Sequence, residues 1–160
     1  MDLLFWAFFG AYVVHLIDET LIAGGFVTWI ARSFWPSYHA IMFFWFNAAL
    51  LGLIALGNVM FESLGGHWVI LPIIFIGGFA THAFTLHLYW TIRQLAYSPG
   101  LLTSLLYLVV FYLLARYGLG GHLVTAFDFW VGTVVGAVLV GGFLSLGPIV
   151  IFPALMRREP

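Results

Sequence analysis

The 160-residue chain contains no cysteine and no lysine, and charged residues make up only 7% of it. Without thiols there is no disulfide framework, no zinc–thiolate site and no cysteine nucleophile. The five cations are all arginine: Arg32, Arg93, Arg116, Arg157 and Arg158. They cannot make the basic face that a nucleic-acid binder needs, so no nucleic-acid partner is expected. Soluble domains carry about 25% charged residues. Five cations and six acids cannot clothe a water-exposed surface of this size. What is abundant is apolar: 64% of residues are hydrophobic and 19% aromatic, with a mean hydropathy of +1.11. This composition predicts an all-α integral membrane protein that takes the lipid bilayer as its solvent.

A bilayer-spanning helix takes about 20 apolar residues. Five such stretches are read, at about 3–22, 38–61, 68–93, 101–117 and 128–155, joined at Gly and Pro residues into one transmembrane domain over 1–160. The piece 24–37 is too short to span. Phe26, Trp29, Ile30 and Phe34 share one helical face there, with Thr28, Arg32 and Ser33 opposite, the pattern of a short helix lying in the interface. An N-terminus outside and a cytoplasmic C-terminus put Arg32, Arg93, Arg157 and Arg158 inside and only Arg116 outside, as positive-inside bias requires. Gly132 and Gly136 form a small-xxx-small motif that packs either within the chain or against a second subunit, as a homo-oligomer or a membrane-complex component.

An ionisable side chain at bilayer mid-depth costs about 3 kcal/mol, so such residues are functional candidates by default. His15, Asp18 and Glu19 lie three and four residues apart on one side of the first span. Folding the chain back at each loop, at about 1.5 Å per residue, puts His15 level with Asn47. Glu19 falls level with Met42 and Phe43, and the same layer on the third span falls at residues 82–87. Nearly all ionisable residues of three consecutive spans thereby share one layer. His82 and His87 stand about 140° apart on a straight helix, so one of them, or a π-bulge, must serve the cluster. His87 is taken as a ligand and His82 as flanking it.

Imidazoles and carboxylates without thiols suit zinc, iron or manganese. The metal-ligand candidates are His15, Asp18, Glu19 and His87, with Glu19 and Asp18 as catalytic carboxylates and Asn47, His82 and Tyr97 as further binding residues. A metal-free hydrogen-bonded network and a proton or metal-ion relay use the same residues. A second polar set, Glu62, His67, Arg116, His122 and Asp128, falls at the other boundary, with Arg116 expected near Asp128.

Three features occur in order: His15-Leu-Ile-Asp18-Glu19 with Gly25-Phe26 and Trp29 after it, a later histidine at His87, and Tyr97-Ser98-Pro99-Gly100. This pattern resembles the HXXEE-domain family of small membrane proteins, over about residues 5–115. The chain departs from it at Asp18, which keeps the charge and shortens the reach. The resemblance implies a site at His15, Asp18, Glu19, His87 and Tyr97–Gly100, and supplies no reaction. Function remains between a membrane-embedded metalloenzyme acting on a lipophilic substrate, a relay or transporter, and a non-catalytic subunit of a larger complex.

Overall fold

The computed structural model describes residues 1–22, 24–151 and 154. Among these residues there is no strand, and six helices follow one another. They are α1 (Asp2–Leu21), α2 (Phe26–Ser33), α3 (Ala40–Leu64), α4 (Gly66–Gln94), α5 (Leu101–Leu119) and α6 (Ala126–Ile151). All but α2 are long and apolar enough to cross a membrane. The observed spans lie within a few residues of those read from the sequence. Arg157, Arg158 and the last residues of the fifth expected span lie outside the described residues.

The bundle is built around α4. Its most apolar stretch is 61% buried, against 33% or less in the other spans. The rest of the bundle packs round it, with α1 seated on α3 and α5. The reason for the tight α4–α6 contact is glycine. A Cβ on Gly77 would come within 2.9 Å of the Thr133 backbone, and one on Gly132 within 2.7 Å of Ile73. A Cβ on Gly136 would collide with the Ile74 carbonyl and come within 2.9 Å of the Gly78 amide nitrogen. Without a hydrophobic drive between helices in lipid, such close backbone approach is what holds them together. The Gly132–Gly136 face is therefore spent on α4 inside the chain, and a second subunit would have to displace α4 to use it.

The core below the polar layer is aromatic: Phe8, Tyr12, Phe79 and Tyr107 are fully or almost fully buried and meet largely edge to face. At the end of the bundle where α1 stops, α2 folds over. Its Phe26 and Ile30 join Trp35, Tyr38 and Phe43 in a separate buried cluster. The Trp29 indole N–H donates to Gln94 at 3.1 Å, tying α2 to the end of α4. At the opposite boundary, the expected Arg116–Asp128 proximity is replaced by a different pair. Asp128 accepts from the His67 ring at 2.7 Å and from the Thr125 hydroxyl at 2.7 Å, while Arg116 lies over the Tyr117 ring. The imidazole reaches Asp128 because the turn Gly66–Val69 carries His67 beside the start of α6.

Candidate metal centre

His82 and His87 are brought together by a change in helix type. Residues Ala83–Leu88 of α4 form a π-helical turn. Its i→i+5 bonding stacks residues five apart, where an α-helix would splay them. The two Nε2 atoms lie 3.2 Å apart. From α1, the Nε2 of His15 lies 3.3 Å from Glu19 Oε1, and that oxygen lies 3.8 Å from His87 Nε2. One ligand atom from each of His15, Glu19, His82 and His87 falls within 4.8 Å of the others, and all four residues are buried. Tetrahedral coordination at about 2.0–2.2 Å places neighbouring ligand atoms roughly 3.3–3.5 Å apart. Three of the measured edges, 3.2, 3.3 and 3.8 Å, bracket that spacing.

Proton counting orients His15. Thr103 has one hydroxyl proton, and its shortest contact is to Asp18 Oδ2 at 2.7 Å. The charge-assisted bond takes that proton. The hydroxyl oxygen then accepts from His15 Nδ1–H at 3.1 Å. A neutral His15 so held turns the Nε2 lone pair toward the Glu19 carboxylate. Two electron pairs face each other there unless a proton or a metal cation lies between them. Asp18 also accepts from the Thr103 amide at 3.3 Å, and its other oxygen is buried without a hydrogen-bond partner among the described residues. Its carboxylate therefore stands behind His15 and outside the group of four.

The Tyr97–Gly100 stretch reaches the site through two of its members. Ser98, fully buried, hydrogen-bonds His87 Nδ1 at 3.1 Å. Ser98 to Leu101 form a turn closed by the Leu101 amide donating to the Ser98 carbonyl at 3.0 Å. Pro99 and Gly100 take its two central positions, Gly100 at φ 90° and ψ −8°, the type II geometry that calls for glycine. A Cβ on Gly100 would lie 2.6 Å from His15 Cε1, 2.8 Å from Glu19 Cγ and 2.9 Å from His87 Cε1. Gly100 is thus the floor against which three of the four side chains rest. Tyr97 does not enter the site: its hydroxyl accepts from the Leu102 amide at 3.3 Å, one of the unsatisfied amides at the start of α5.

A cavity of about 450 Å³ opens beside the cluster. His15, Glu19, His82 and Asn47 supply polar atoms to its wall, which is otherwise mostly aromatic and aliphatic. Asn47 accepts from the Tyr12 hydroxyl and donates to the Phe43 carbonyl. It pairs one turn deeper on α1 than the depth argument placed it. Trp35, Tyr38 and Phe26 close the end nearest α2. Burial, and then the Glu19 charge, push the Tyr38 phenol above its ordinary pKa, so it stays a neutral hydroxyl.

A family model described as a protein of unknown function with HXXEE motif matches residues 6–115. The chain belongs to this family. No curated protein and no solved structure matches it. The matched span carries the HXXEE-type motif of α1, the π-turn histidines, the Ser98–Gly100 floor and Thr103. Ser98 and Gly100 belong to the Tyr97–Gly100 stretch that the resemblance pointed to, whereas Thr103 was the participant least visible beforehand, since a hydroxyl carries no charge to stand out against lipid. Its place three residues after Gly100, close behind His87, was the available signal.

Proposed function

We propose that the chain is a membrane-embedded metal-dependent enzyme, a hydrolase or an oxidoreductase, that acts on a lipophilic substrate as a single transmembrane domain. One observation carries this reading: four buried side chains each offer a ligand atom within 4.8 Å of the rest, beside an apolar cavity. His15, Glu19, His82 and His87 hold the ion. Zinc, iron and manganese suit this donor set. Such an ion supplies Lewis acidity and a water acidified to near neutrality. Glu19 offers a second oxygen for proton transfer. Asp18 acts through Thr103 to fix the His15 tautomer, and Ser98 does the same for His87, as the partners of metal-bound histidines commonly do. Phe26, Trp35 and Tyr38 keep bulk water out. Arg32 and Arg93 argue for a cytoplasmic location of that end of the bundle, with the N-terminus outside.

A relay is the second reading, favoured by the line of contacts from His82 through His87, Glu19, His15 and Thr103 to Asp18. Against it, both ends are buried: His82 Nδ1 and Asp18 Oδ1 have no partner to pass a proton to among the described residues. The test is elemental analysis of purified protein. Stoichiometric zinc, iron or manganese, lost in His15→Ala and Glu19→Ala, is the expected result. A folded, active-state protein without metal, or one whose metal survives both substitutions, removes the enzyme reading as stated.

A further inference from the structure

The cavity has an open side, and that side identifies what enters it. Its walls come from α1, α3, α4 and α6. Along most of this ring neighbouring helices pack on each other: α1 on α3, α3 on α4 and α4 on α6. The cavity itself lies between α3 and α6, bridged by Phe46 against Phe143 at 5.6 Å. Trp45 lines the cavity while remaining 67% exposed, so its ring forms the rim between the cavity and the outer surface. That outer surface is apolar: Phe143 of α6, which meets the cavity-lining Phe46, is exposed as well. In a bilayer it faces acyl chains, not water.

We infer that the site takes a single-chain amphiphile directly from the membrane, through a lateral opening between α3 and α6, with its polar head at the His/Glu cluster. This rests on the metal-site reading for the head and on the cavity alone for the chain. The volume, about 450 Å³, lies at the low end of the usual small-molecule range of about 300–1,000 Å³, room for one chain rather than two. Depth agrees. Glu19 lies two residues from the end of α1 and Tyr12 seven residues further in, about 10 Å along the axis. A head at Glu19 therefore sits near the headgroup boundary and its chain points toward Tyr12, Phe79 and Leu144. A chain gains little by moving from lipid into an equally apolar cavity. Selection must come from the head and from shape.

The test uses the full chain, loaded with zinc, in phosphatidylcholine nanodiscs. The probe is palmitate carrying a photoreactive diazirine at mid-chain, which falls at the depth of Tyr12 when the carboxylate is at Glu19. Saturable cross-links are expected on Tyr12, Phe79 and Leu144, displaced by unlabelled palmitate. A diazirine alkane without a head should give no saturable labelling there. Leu144→Trp should lower the cavity labelling about tenfold or more, because the indole occupies the space of the chain. Mapping in the unaltered chain stands independently of whether that variant folds. Labelling confined to outward residues such as Leu53 and Val138, or unchanged in a folded Leu144→Trp, overturns the inference. Zinc content of the same samples separates the two readings. Saturable cavity labelling without bound metal retains the lateral route and rejects the metal site; a metal-loaded chain without cavity labelling does the reverse.

Discussion

Replacing Gly100 by alanine tests how the turn before α5 supports the cluster. Two separate costs follow from the geometry. The residue sits at φ 90°, where a side chain is strained, and such positions cost of order 1–3 kcal/mol. The new methyl would also meet His15, Glu19 and His87 carbons at 2.6–2.9 Å. Those are side-chain atoms, but they are the edges of buried rings and a buried stem. Overpacking of this kind costs about 1–3 kcal/mol. Together the substitution should destabilise by about 2–6 kcal/mol, which at roughly 2–4 °C per kcal/mol for a chain of this size lowers Tm by on the order of 4–24 °C. Relief comes by pushing His15 and His87 off their present positions, so metal affinity should fall by about 10- to 100-fold or more. Thermal unfolding in detergent and zinc competition against a chelator read the two effects. Gly52→Ala is the control: it is exposed on α3, its Cβ meets nothing within 4 Å, and alanine there should stabilise by about 0.5–1 kcal/mol. A Gly100→Ala chain with unchanged Tm and zinc affinity would refute both the contact geometry and the role given to this turn.

Two further outcomes are expected. Thr103→Val removes the hydroxyl between His15 and Asp18 at nearly constant volume, and metal affinity should drop about 10- to 100-fold while Thr103→Ser restores it; equal affinity in the valine variant would show that the hydroxyl does not orient the ring. Gly136→Leu forces α6 away from α4, where the glycine touches Ile74 and Gly78 closely, so the purified chain should lose its cooperative thermal transition, and a variant that unfolds as the parent does would place that contact elsewhere.

Much of the architecture follows from residue pattern, because lipid imposes so few choices. Runs of about 20 apolar residues must become helices, since their backbone groups have no water to bond. The five spans and the short amphipathic α2 were legible for that reason. So was the layer containing His15, Glu19, His82 and His87, because helical rise converts sequence position into depth. What depth arithmetic leaves open is direction around the axis. It allows only one of His82 and His87 to face inward, and only the π-turn at Ala83–Leu88 lets both do so. It gives Asp18 and Glu19 equal standing, yet Asp18 is turned onto Thr103, a residue 85 positions later. It reads Gly132 and Gly136 as adhesive without naming their partner, which close approach to α4 supplies. Composition and periodicity thus determined that this is a helical membrane protein with a buried polar layer. Only the tertiary structure decided which of those groups share one centre, because rotation about each helix is set by contacts between spans far apart in the chain.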